Sequence, residues 1–267
     1  VLKVLFKFFI FSSVYLGLSA ALLFVGQTAY LTGKFDAGDF FRIFFPIFFV
    51  YNLPILQLKS RPKSAKWSFL YEKRVVVYIG LSLSLILSLF FFRPEPHPAL
   101  WVACVLILSY MSGYHRLSLR IRFPKLKPFA VGLVWALFFF SQMPDCTDRN
   151  LLFVGNFFFI SGLTVPFELR DRKEDHRSGL STLGNSLSFR QNVSISVFCL
   201  FVSSSLYSSI LNSLWAFVFF LPVLLLLSAA IFVKRFFVKD FFYTVILDGF
   251  IVFQAIVFLF SGEATLF

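Results

Sequence analysis

The chain has 267 residues, 58% of them hydrophobic and only 14% charged, with a formal charge of +12 and a mean hydropathy of +0.83. A soluble core cannot absorb that much apolar surface, so an ordinary soluble domain is excluded and a membrane-embedded chain is indicated. The basic excess is confined to short stretches between apolar runs, which reads as membrane topology and not as nucleic-acid binding.

A helix that spans a bilayer needs roughly 20 mostly apolar residues. Nine such runs are expected, at residues 4–25, 40–58, 75–92, 98–114, 128–143, 151–167, 193–211, 213–233 and 241–260, which makes residues 1–267 one all-α transmembrane domain. The first run has the length of a span and no small-residue cleavage site, so no cleavable signal peptide is expected. Pro46 and Pro54 fall in the second run and Pro222 in the eighth, where each removes a backbone donor and invites a kink. A bent helix beside a pocket and an ordinary transmembrane proline both remain open readings.

All the Lys and Arg except Lys34, Arg42, Arg93 and Arg149 lie at the amino end or in alternate loops. The positive-inside rule then places the amino terminus in the cytoplasm and, after nine spans, the carboxyl terminus outside. The 42 Phe are spread through every apolar run, as lipid-facing and packing residues are. Cys104, Cys146 and Cys199 stand apart with no C-x-x-C spacing, and His97, His115 and His176 are isolated, so these residues suggest neither a disulfide framework nor a zinc site.

Directly after the sixth run comes the stretch from Pro166 to Thr182, where Glu168, Asp171 and Asp175 are spaced three and four apart. If the helix continues past the membrane surface, they form one stripe on one face. Such a stripe suits Mg2+, a hard cation that takes oxygen ligands and shares them with substrate phosphates. Arg170, Arg172, Lys173 and Arg177 could contact phosphate oxygens or anionic lipid heads. A solvated helical extension of balanced charge is the other reading of the same residues. Asp248, within the ninth run, is an intramembrane carboxylate with a structural, proton-relay or substrate role.

The pattern E-x-x-D-x-x-x-D of Glu168, Asp171 and Asp175, followed by Gly179 and Thr182-Leu183, resembles the second aspartate-rich motif of the UbiA-type intramembrane prenyltransferases. That family is also a nine-helix bundle with a cytoplasmic amino terminus, and its second motif follows the sixth helix. The resemblance implies an integral protein of a bacterial cytoplasmic membrane. It would transfer a prenyl group from an isoprenoid diphosphate to a lipophilic or aromatic acceptor, with Mg2+ held by Glu168, Asp171 and Asp175, and with Asp171 and Asp175 catalytic. Arg172 and Arg177 become substrate contacts.

The family's first motif would fall on residues 52–61, where Asn52 and Arg61 align but the three aspartates are replaced by Leu53, Leu56 and Ser60. Metal binding in the family's manner is lost there, and Asn52, Lys59 and Arg61 are left as substrate contacts, with Lys63 and Lys66 nearby. The family's Tyr-x-x-x-Lys-Arg signature is approximated by Tyr114, Arg116 and Arg120 and by the following Pro124-Lys-Leu-Lys127, which implies substrate roles for Tyr114 (or Tyr110), Arg116, Arg120 and Lys125. Three functions follow: prenyl transfer, binding of an isoprenoid lipid or a partner without catalysis, and lipid transport by way of Asp248 and kinked helices.

Overall fold

The computed structural model describes residues 2–57, 65–91, 97–111, 123–177, 179–211, 214–232 and 242–263, and every element among them is helical. Five stretches are long and apolar enough to cross a bilayer: Val14–Thr32, Ala37–Leu56, Arg74–Phe91, Arg149–Arg172 and Phe189–Leu211. Shorter apolar helices occur at Pro98–Tyr110, Phe217–Ser228 and Asp248–Ser261. Large apolar side chains stand outward at helical spacing, as with Val75, Ile79, Leu83, Ile86 and Phe90, a surface that only hydrocarbon solvates. The protein is an all-α, multi-pass integral membrane protein. Its chain forms two compact units, one from Val1–Pro94 with Ile251–Phe267, the other from Glu95–Phe250.

In the first unit, α1 (Leu2–Phe11) and α2 (Val14–Thr32) replace the single run expected at 4–25. The break is at Ser12-Ser13, where Ser13 adopts the left-handed conformation at φ 60° and the Ser12 hydroxyl donates to the Phe8 carbonyl at 2.6 Å. Serine hydroxyls that bond to nearby backbone compete with helix continuation. Asp36 caps α3 (Ala37–Asn52) by accepting from the Gly38 N–H at 2.7 Å. The α3 helix runs through Pro46, and Pro54 falls in the 3-10 turn Leu53–Gln57 that follows it. After α4 (Ala65–Glu72) comes α5 (Arg74–Phe91), against which α3 packs through ring contacts such as Phe45 with Phe91. Close to Gly26 of α2, the Ala255 backbone of α12 (Asp248–Glu263) leaves no room for a side chain: a Cβ there would lie 2.7 Å from the Ala255 carbonyl oxygen. Such small-residue crossings are how helices approach in lipid.

The second unit is built around α7 (Lys127–Gln142) and α8 (Arg149–Arg177), an antiparallel pair that follows α6 (Pro98–Met111) and the 3-10 turn Pro124–Leu126. Arg149 closes their hairpin. It donates to the Phe140 carbonyl at 2.6 and 3.1 Å, pairs with Asp145, and lies over the Phe140 ring at 4.1 Å. The single-turn α9 (Leu183–Ser186) leads into α10 (Phe189–Leu211), which packs along α8. There Gly155 receives the Tyr207 ring, whose hydroxyl donates to Asn156 Oδ1 at 2.7 Å. Pro222 is the second residue of α11 (Leu221–Phe232), after a 3-10 segment at Leu214–Phe220.

Pro166 lies inside α8 without ending it. A proline lacks the N–H that would bond four residues back, which frees the carbonyl of Gly162. The Ser196 hydroxyl of α10 donates to that carbonyl at 2.5 Å. Ser196→Ala is therefore expected to cost about 1–3 kcal/mol by leaving a buried acceptor bare. Adding Pro166→Ala should recover much of that loss, because the new N–H supplies the donor. Unfolding of the single and double variants in detergent measures both effects, and an uncorrected double variant would rule the account out.

Candidate functional site

Because α8 continues to Arg177, Glu168, Asp171 and Asp175 all stand on one helix, one turn apart. Glu168 is buried at 1% exposure and accepts from Lys127 Nζ, at the start of α7, at 2.8 Å. The same ammonium lies 3.8 Å from Asp171 Oδ2. Arg170 reaches Asp171 with Nε at 2.7 Å and Nη2 at 3.4 Å. Its guanidinium rests over the rings of Phe167 at 4.8 Å and Tyr243 at 5.5 Å, the latter from the π-helical turn Phe242–Leu247. Delocalised and weakly hydrated, a guanidinium is suited to such a ring-lined position.

Burial works to lower the Lys127 pKa, but the Glu168 charge, with smaller contributions from Tyr110 and Asp171, outweighs it and holds the amine above the ordinary lysine value. The ammonium is thus fully charged at neutral pH. Its contribution to stability is present below the unfolded-chain pKa of about 10.4 and fades only as pH rises through the still higher folded value. Unfolding of the wild type and of Lys127→Met should accordingly differ at neutral pH, and the ammonium's share of that gap should shrink as pH rises above about 10.

Around this pair the buried polar atoms are mostly acceptors. Glu168 Oε2, Asp175 Oδ2, Thr182 Oγ1, Asn185 Oδ1 and Asn192 Oδ1 are buried without a hydrogen-bond partner, and Asp175 is 4% exposed. The α9 turn closes over α8 here: a Cβ on Gly184 would overlap the Glu168 carbonyl group. Asn192 Nδ2 donates to the Leu183 carbonyl at 3.4 Å, tying α10 to the α9 turn. Buried acceptors normally have donors, so this corner favours a proton, a water or a positive charge.

Magnesium, which the motif resemblance implies, requires near-octahedral oxygen ligation. Among the described residues no group of three or more His, Cys, Asp or Glu side chains is drawn together to hold a metal ion. Glu168 Oε1 is engaged by Lys127, and both Asp171 oxygens face Arg170. As arranged, the stripe does not fit a divalent ion: cationic side chains stand against two of its three carboxylates.

No family model matches the chain, and no curated protein does. The chain is similar to a solved structure described as "Structural and mechanistic insights into the biosynthesis of Digeranylgeranylglyceryl phosphate synthase in membranes", with a TM-score of 0.48 and 16% identity over 98% of each chain. At that degree of likeness, a functional reading has to rest on this chain's own residues.

Of the residues that the sequence points to, Lys59, Arg61, Tyr114, Arg116 and Arg120 lie outside the described residues. Lys125 is exposed in the turn before α7, Arg172 is exposed on α8, and Arg177 is the last residue of that helix. Asn52 belongs to the first unit and is fully buried, with Nδ2 donating to the Ser12 carbonyl at 2.5 Å and the Phe48 carbonyl at 2.8 Å. Asp248 is half-buried where the π-helical turn passes into α12. Lys127 is the residue of this corner that the motif reading left without a role.

Proposed function

We propose that this protein binds an isoprenoid lipid in the membrane without cleaving a diphosphate. The lipid class comes from the resemblance of residues 168–183 to the second aspartate-rich motif of the UbiA-type prenyltransferases. The single observation that carries the absence of cleavage is Lys127, placed 2.8 Å from Glu168 and 3.8 Å from Asp171, where ionisation of a diphosphate would require a divalent metal. The replacement of the first motif's aspartates by Leu53, Leu56 and Ser60 supports the same reading. Apolar helices provide the environment for the tail, and Lys125 and Arg172 are the exposed cations at hand for a polar head.

Magnesium-dependent prenyl transfer on a nine-span bundle with a cytoplasmic amino terminus is the second reading. The buried, unpartnered Glu168 Oε2 and Asp175 Oδ2 favour it, as they are the oxygens a metal would satisfy. Binding of farnesyl and geranylgeranyl diphosphate to the purified protein, measured with EDTA and with Mg2+ alongside pyrophosphate release, separates the two. Binding indifferent to EDTA with no release is the expected result. Mg2+-dependent release that disappears in the Asp171→Asn, Asp175→Asn double variant would overturn the binding reading and establish transfer.

A further inference from the structure

Two helices of the first unit are too short to cross a bilayer. With ten and eight residues, α1 and α4 measure about 15 and 12 Å, against roughly 30 Å of hydrocarbon core. Both lie at one end of the spans they adjoin. At that end the Asn52 amide, which closes α3, donates to the Ser12 carbonyl before α2 at 2.5 Å, and α4 leads into α5. The opposite end of α3 and α5 is marked by Arg42, whose Nε donates to the Phe91 carbonyl at 3.3 Å. The two short helices meet each other: the Phe11 and Phe69 rings stand edge to face at 5.7 Å, and Lys66 of α4 donates to the Ser13 hydroxyl at 3.3 Å.

This end carries unbalanced positive charge. Lys7 of α1, Lys73 in the bend after α4 and Arg74 at the start of α5 are exposed, and no carboxylate pairs with them among the described residues. Arg74 is held in place by one ring: its Nη1 donates to the Tyr71 hydroxyl at 3.3 Å, and its guanidinium lies 5.1 Å from the centre of the same ring. At the opposite end the charges balance, with Arg42 paired to Asp39 and Lys34 followed by Asp36. Large apolar side chains stand beside the free cations. Phe6 precedes Lys7, Val75 and Val76 follow Arg74, and all three are exposed. Cations set directly against exposed apolar side chains are the composition of a bilayer boundary, where head groups and acyl chains meet.

We propose that α1, α4 and the start of α5 form a shelf for the phosphates of anionic phospholipids, with Lys7, Lys73 and Arg74 as the head-group contacts. Charge complementarity selects the head group, since cations without acidic partners attract an anionic leaflet. The exposed Phe6, Val75 and Val76 select a lipid over a soluble phosphate, because acyl chains cover them and a soluble anion leaves them in water. The shelf belongs to the first unit alone and stands apart from the ligand bound at Lys127.

Native mass spectrometry of the full chain in detergent, titrated with phosphatidylglycerol or phosphatidylcholine, tests it. The wild type is expected to retain phosphatidylglycerol in preference to phosphatidylcholine. Each of Lys7→Gln, Lys73→Gln and Arg74→Gln should weaken phosphatidylglycerol binding about fivefold, the factor for one cation at an anionic surface, and the triple variant should lose the preference. All three side chains are exposed, so the substitutions leave the packed helices intact. Lys34→Gln removes the same charge from the opposite end and should change nothing, and inorganic phosphate should not displace the bound lipid. Equal retention of the two lipids by the wild type, a preference that survives in the triple variant, an equal loss in Lys34→Gln, or displacement by inorganic phosphate would each overturn the shelf.

Discussion

Lys127→Met is expected to lower stability by about 3–5 kcal/mol, because it leaves the Glu168 carboxylate buried at the α7–α8 contact without its counter-charge. The methionine keeps the length and most of the apolar stem, so little of the loss comes from packing. Combining it with Glu168→Gln removes both charges, and the double variant should be markedly more stable than Lys127→Met alone. Equilibrium unfolding in mixed detergent gives all four corners of that cycle. A loss below about 1 kcal/mol for Lys127→Met, the range of an exposed pair, would mean that solvent reaches the pair and that Lys127 does not stand in for a metal.

Gly184→Ala is the second large effect. The added methyl would overlap the carbonyl oxygen and carbon of Glu168, which are backbone and have no rotamer to escape into. The α9 turn must then lift from α8, at a cost of about 3 kcal/mol, the upper part of the usual range for overpacking. Gly179, five residues earlier, provides the control. Nothing lies within 4 Å of a Cβ there, and its φ of 69° makes Gly179→Ala a matter of backbone strain alone, about 1 kcal/mol. Thermal unfolding in detergent ranks the two, and exchange across residues 180–192 should rise only for Gly184→Ala. Equal losses, or none at Gly184, would show that α9 does not close on the Glu168 carbonyl.

The apolar runs announced helices because hydropathy and length are local properties, and the spacing of Glu168, Asp171 and Asp175 announced a shared face once their helix continued. Its continuation through Pro166 was not legible, since the Ser196 hydroxyl that takes over the orphaned carbonyl lies thirty residues away. The break at Ser12-Ser13 was hidden for a related reason. Two serines inside an apolar run are unexceptional until Asn52 and Lys66 are brought to them.

What the sequence determined by itself was a multi-pass, all-α membrane protein with one carboxylate-bearing helix, because composition, periodicity and residue identity suffice for that much. Tertiary structure alone decided how those carboxylates are used. Electrostatic energy depends on distance and burial, and neither the 2.8 Å from Lys127 to Glu168 nor the burial of the acceptors near Asp175 can be read from positions 127, 168 and 175 along a chain.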